Sequence, residues 1–193
     1  MKVRGRLLVV SLMVAAVVSV VAGWAIARSR DDAADGDSVE IDSQATFDVP
    51  SIETNSVVDG TPFPDVSVQT VDGNELPTGD LVGQPMVVNI WGSTCTPCKK
   101  ELPDFAEAHA EYGDEVRFVG ISYLPASDRE EAFARDRGID YELLYDANGE
   151  FITAAGLAVF PVTLFVAPDG TIIEQTGQLD LERLRTLIEE DLL

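Results

Sequence analysis

The sequence predicts an α/β domain, a central mixed β-sheet flanked by helices, carried behind an N-terminal transmembrane helix. Three observations predict it. From residue 86 to residue 157 short β-branched runs alternate with stretches of helical period, as parallel strands joined by helical crossovers do. Further on, the turn sequence Ala167-Pro168-Asp169-Gly170 separates two more strand-like runs, which adds an antiparallel hairpin. Near the start, residues 7–27 carry no charge.

That apolar run would make a helix of about 30 Å at ~1.5 Å per residue, the thickness of a bilayer core. A cleavable signal has an apolar region of only about 7–15 residues. Residues 1–30 therefore read as an uncleaved signal anchor, with cleavage after Ala27 in Ala25-Ile26-Ala27 as the alternative; no Cys follows to anchor a lipid. Lys2, Arg4 and Arg6 precede the run and Arg28 and Arg30 follow it, a small bias toward a cytoplasmic N-terminus and an extracytoplasmic body. Residues 31–61 hold nine acids and no base, the composition of a self-repelling tether. The formal net charge is −21, and beyond residue 30 eight bases face 34 acids. A nucleic-acid binder is excluded, because no basic stripe exists to neutralise phosphates. The same charge would hold the body of residues 62–193 away from anionic head groups.

Within the body, Met86–Trp91 follows Gly83-Gln84-Pro85 and reads as a buried strand. A helix over 97–112 presents Leu102, Phe105, Ala106 and Ala110 at helical spacing and stops at Gly113. Pro103 inside it predicts a kink or one unpaired carbonyl. Residues 116–123 form the next strand. Ser127 and Glu130 have the spacing of a capping box, opening a helix to about Arg137 with Gly138 as its stop. A short strand over 143–145, a short helix over 151–157, the hairpin strands 162–166 and 171–174, and a final helix capped by Asp180 complete the series. That last helix carries Leu181, Leu184, Leu187 and Ile188 on one face.

Chemistry concentrates in Trp91-Gly92-Ser93-Thr94-Cys95-Thr96-Pro97-Cys98-Lys99-Lys100-Glu101, where the first strong strand turns into a helix. Two cysteines three apart at a helix start can close a small disulfide. Unpaired N–H groups and the helix dipole there favour a Cys95 thiolate, with Lys99 and Lys100 pushing the same way. Cys98, one turn inward, is the more shielded. A low-pKa attacking thiol beside a resolving thiol is what disulfide exchange needs. A structural bridge is the bland alternative, but it would close too small a loop to remove much unfolded-state entropy. A metal pair would want further ligands; two thiols and the single His109 cannot close a zinc site without carboxylates. His109 itself reads as an ordinary, partly exposed helix residue.

These residues resemble the TlpA/ResA type of membrane-anchored, thioredoxin-like oxidoreductase. The likeness covers 62–193: the lead-in Asp65, Asp72-Gly73, Leu81, Gly83 and Pro85; the strand Val87-Val88-Asn89-Ile90-Trp91; the Trp91-x-x-x-Cys95-x-Pro97-Cys98 core; Glu101-Leu102-Pro103; and Pro161-x-Thr163 ahead of Asp169-Gly170. The resemblance implies a thioredoxin-like fold in which Cys95 attacks a substrate disulfide and Cys98 resolves the mixed disulfide. It implies a cis Pro161 packed beside the pair, where an extended substrate could add as a strand. Trp91, Pro97 and Phe160 would support the substrate groove. Glu101 matches an acid near the cleft, its alternative being a solvated first-turn acid that complements the dipole. Asn89 stands where thioredoxins bury a proton-carrying Asp, and Asn cannot titrate. Thr94 replaces a usual second Trp, and Phe160 a smaller residue, so partner choice departs from the pattern. The stretch 124–157 resembles the family's helix-strand insertion.

No cofactor and no metal are implied. Partners would be proteins bearing disulfides or thiols, and a transmembrane thiol electron carrier. Thr96-Pro97 lacks the His of strongly oxidising members, which favours a reductant, with apocytochrome c thiols or copper-site cysteines as substrate types. Two rival readings are a peroxiredoxin-like peroxidase and a non-catalytic copper-binding chaperone.

Overall fold

The computed structural model describes residues 54–193. The apolar run at 7–27 and most of the acidic tether lie outside the described residues; among those described, no helix is long and apolar enough to cross a membrane. The elements in chain order are β1 (Ser67–Thr70), β2 (Glu75–Pro77), a 3₁₀ turn (Thr78–Leu81), β3 (Met86–Trp91), α1 (Thr96–Tyr112), β4 (Arg117–Ser122), α2 (Asp128–Arg135), β5 (Glu142–Tyr145), α3 (Glu150–Ala154), β6 (Val162–Val166), β7 (Ile172–Thr176) and α4 (Leu181–Leu187), which runs on into a π turn at Ile188–Leu192. Together the strands make one seven-stranded mixed sheet in the order β2-β1-β5-β4-β3-β6-β7.

Strand β3 lies near the middle because it can be buried on both faces. It pairs in parallel with β4, from Met86↔Arg117 to Trp91↔Ser122, and antiparallel with β6. All six of its residues are buried. Val87 and Trp91 point into a core completed by Leu102, Phe105 and Ala108 of α1. Met86, Val88 and Ile90 point the other way, toward Leu144, Phe151, Leu164 and Ile172. Alternate burial on both faces is why the run reads as continuously apolar, interrupted only by Asn89.

Four local outcomes differ from the sequence expectation or choose between its alternatives. The β1–β2 hairpin was foreshadowed only as a lead-in; its turn places Gly73 at φ +78°, which a side chain disfavours. Helix α1 runs unbroken through Pro103, which is exposed. The missing N–H there leaves the Lys99 carbonyl without its intrahelical donor. Helix α3 ends at Ala154 rather than 157, because Gly156 takes φ +62°. A Cβ at Gly156 would lie 2.2 Å from Ser56 Oγ, so the glycine also admits the incoming chain. Residues 54–61, placed in the tether by their composition, lie against the body. The Ser56 N–H donates to the Gly156 carbonyl and the Gly60 N–H to that of Ile172, while Val58 is buried.

Candidate active site

The site begins where β3 leaves the sheet. Cys95 is the N-cap of α1 with an extended backbone, and its Sγ accepts from the Cys98 N–H at 3.2 Å. Pro97 sits in the first turn, where a missing N–H costs nothing. Cys95 and Cys98 are joined, with S–S at 1.98 Å and Cα atoms 5.3 Å apart. Cys95 is 8 % exposed and Cys98 0 %, so only the first sulfur of the pair reaches the surface. Lys99 and Lys100 are exposed beside it. Free N–H groups, helix dipole and two cations thus converge on the sulfur that solvent can reach.

Beneath the pair lies a small polar cluster in an apolar surround. Glu101 is three residues after Cys98 on the same face of α1, and it is fully buried rather than solvated. Asn89 Nδ2 donates to Glu101 Oε1 at 2.8 Å and faces Thr163 Oγ1 at 3.3 Å; the Leu179 N–H donates to Glu101 Oε2 at 3.2 Å. Burial pushes the Glu101 carboxyl up to about 7, against those two hydrogen bonds, with a further push from Asp104. A carboxyl poised near neutrality can take up or release a proton at physiological pH.

Around the pair stand aromatic side chains from four segments. Trp91 is fully buried and stacks on Phe133 of α2, ring centres 5.7 Å apart. On the other side Tyr123 stacks on Phe160 at 4.4 Å, and Thr94 Oγ1 lies 3.1 Å from the Tyr123 hydroxyl. The Tyr123 ring packs against Gly92, where a Cβ would come within 2.5 Å of it. Phe160 precedes a cis peptide to Pro161, which is buried at the start of β6. Trp91, Pro97, Phe160 and Pro161 therefore occupy the expected elements, and Glu101 lies below the pair rather than in the first-turn solvent shell.

Two residues of the site carry no clear signal in the sequence. Asn55 is 6 % exposed and clamps the segment before Phe160: its Oδ1 accepts from the Ala158 and Val159 N–H groups at 2.7 and 2.8 Å, and its Nδ2 donates to the Val159 carbonyl at 2.9 Å. Glu130, expected to close a capping box, instead reaches the Ser93 amide. His109 stays apart, eleven residues or roughly 16 Å along α1 from Cys98, paired with Asp140 at 2.8 Å. Among the described residues no three His, Cys, Asp or Glu side chains converge as a metal site.

Comparison with known proteins agrees with this geometry. The AhpC/TSA family model matches residues 60–175. The thiol-disulfide oxidoreductase ResA of Bacillus subtilis is 23 % identical over 120 residues, 62 % of this chain and 67 % of that protein. ResA of Oceanobacillus iheyensis is 29 % identical over 124 residues, covering 63 % of this chain and 65 % of its own length. A structure of DsbF from Mycobacterium tuberculosis, in mixed oxidized and reduced forms, superposes with a TM-score of 0.59 at 25 % identity, covering 65 % of this chain and 93 % of that one.

Proposed function

The chain belongs to the AhpC/TSA family and is a thiol-disulfide oxidoreductase with thioredoxin-like architecture, and from that premise we propose that it is a membrane-anchored, extracytoplasmic reductant of protein disulfides. The observation that carries the exchange chemistry is a bonded cysteine pair at a helix tip, one sulfur at the surface and its partner sealed behind it. The uncharged run at 7–27, followed by an acidic tether, supports anchorage with the body outside the cytoplasm.

In the reduced protein the Cys95 thiolate attacks one sulfur of a substrate disulfide. A mixed disulfide forms, and the other substrate sulfur leaves as a thiolate and takes a proton. Cys98 then gives its proton to Glu101 or water and attacks the Cys95 sulfur. The Cys95–Cys98 bond forms and the second substrate thiolate leaves. In total two electrons and two protons pass to the substrate. A dithiol donor reverses the same two steps on the enzyme, and a transmembrane thiol carrier is the donor that an extracytoplasmic site requires. The Thr96-Pro97 spacer carries no cation to favour the reduced form strongly, which supports the reducing direction. Cytochrome c haem-binding thiols and copper-site cysteines are the substrate types that this reading favours.

Alkylation-trapped variants in native membranes test it. Cys95→Ser is expected to abolish insulin disulfide reduction, whereas Cys98→Ser accumulates mixed disulfides whose partners name substrate and donor. Full activity in the Cys95 variant would remove Cys95 as the attacking thiol. Peroxide consumption at rates exceeding disulfide reduction would replace the reading with a peroxidase.

A further inference from the structure

One buried acid, bonded to the turn that leads into Cys95, has no part in those steps. Glu130 is 4 % exposed. Ser127 caps α2 by accepting from the Glu130 amide at 3.2 Å, as the spacing predicts, but the Glu130 side chain does not turn back to the cap. Its Oε2 accepts from the Ser93 N–H and from Ser122 Oγ, each at 3.1 Å. Ser122 Oγ itself accepts from the Leu124 N–H at 3.1 Å, so its one hydrogen is free for Glu130. Both hydrogen bonds fall on one carboxyl oxygen, and neither needs a proton from Glu130. Ser93 stands two residues before Cys95, in the turn closed by the Cys95 N–H on the Gly92 carbonyl.

We infer that Glu130 is a positioning residue of the redox pair: it fixes the turn at 92–95, and its buried charge disfavours a thiolate at Cys95, holding the couple on the reducing side. The inference deepens the exchange reading above and rests on it. Other groups around Cys95 act differently. Lys99 and Lys100 of α1 favour the thiolate, but both are exposed and screened by salt over about 8 Å, whereas a buried charge is screened much less. Glu101 lies below Cys98, inside α1. From the segments packed over the turn come the Tyr123 hydroxyl, bonded to Thr94, and Arg137, whose guanidinium lies 3.7 Å from the Phe133 ring centre.

The couple is read by equilibrating the full-length chain with glutathione. The enzyme dithiol and oxidised glutathione exchange with the enzyme disulfide and two reduced glutathiones, two electrons and two protons changing hands. Glu130→Gln keeps size and an acceptor and removes the charge. It is expected to move the equilibrium about tenfold toward the dithiol, about 30 mV less reducing, and to lower the pH midpoint of iodoacetamide capture of Cys95. Glu130→Asp keeps the charge and is expected to stay within threefold of wild type. A Glu130→Gln shift below threefold, or toward the disulfide, overturns the proposal. So does a Glu130→Asp displacement beyond threefold, because fit rather than charge would then set the couple. Should Glu130→Gln not fold, the Asp variant decides alone by that same limit. Insulin reduction by the wild type is measured alongside: its absence removes the exchange reading while the glutathione equilibrium still tests Glu130.

Discussion

Glu101 shows how one buried side chain links stability to chemistry. Its carboxyl is raised from 4.5 to about 7, chiefly by burial. Between those values the unfolded chain has released the proton and the folded chain has not, so stability falls as pH rises. The contribution is intact below about pH 4.5 and gone above about pH 7, a difference on the order of 3 kcal/mol. Glu101→Gln removes that slope. The Gln carbonyl can accept from Leu179, and its amide can donate to Asn89 Oδ1, which has no partner in the native cluster. Rotation of the Asn89 amide then preserves the network, since the Thr163 hydroxyl can donate as well as accept. The variant is expected to gain about 1–2 kcal/mol at pH 8 and little at pH 4.5, read by urea unfolding of the oxidised protein. An equal change at both pH values would show that ionisation of Glu101 is not the cause. In the reduced protein the same variant should slow resolution of the mixed disulfide above its formation, because a Gln cannot accept the Cys98 proton.

Helix α2 supplies the cover of the site through a single face. Glu130, Phe133 and Ala134 follow one another at helical spacing of three and four, and Arg137 follows in the turn just past the end of the helix. Glu130 holds the Ser93 turn, Phe133 stacks on Trp91, and Arg137 stacks on the outer side of Phe133. Phe133→Ala takes away the middle layer. Since Phe133 is half-buried, the expected loss is about 2 kcal/mol in urea unfolding, below the ~3–5 kcal/mol of a sealed Phe, with a red-shifted emission from Trp91. A loss under 0.5 kcal/mol would mean the stack is incidental. The helix itself was legible from Ser127 and its spacing, and so were β3, α1, β4 and the β6–β7 hairpin, whose patterns are long or bounded by strong turns. The β1–β2 hairpin was not: its strands are short and on the sheet edge, and in them only Val68 is fully buried. The same contrast holds at the site. Cys95, Pro97, Cys98 and Glu101 lie in one contiguous motif at the start of α1. The Ser93 partner of Glu130 and the Val159 partner of Asn55 lie 37 and 104 residues away in sequence, and each residue by itself resembles an ordinary local feature. Long-range side-chain bonds to loop amides leave no periodic trace.

At the scale of the whole molecule the unbalanced charge sets the response to salt. Residues 54–193 contain 26 acids and eight bases. Acids crowd one another where bases are lacking: the Glu174 carboxyl is raised by burial and by Asp59 and Asp191, and that of Asp104 by burial and by Asp180 and Glu107. Among the described residues the compensating pairs are few. Arg185 of α4 bridges Glu107 and Glu111 of α1, Arg117 meets Glu142 at 2.6 Å, and Arg135 lies 3.5 Å from Glu131. Partly exposed pairs of this kind contribute about 0–1 kcal/mol each, and screening weakens them by only part of that. Screening also relieves repulsion summed over the whole acidic surface, which acts against the compact state. Repulsion is the larger sum here, so added salt should stabilise. Raising NaCl from 10 to 200 mM shortens the Debye length from about 30 Å to below 10 Å. The expected gain is on the order of 1 kcal/mol, about 4 °C in the unfolding midpoint of a domain this size. Calorimetry of the oxidised protein at pH 7.5 measures it. A midpoint that falls over that range would place the balance with the ion pairs of α1 and α4 instead, and Arg185→Gln would then be the more damaging change at low salt.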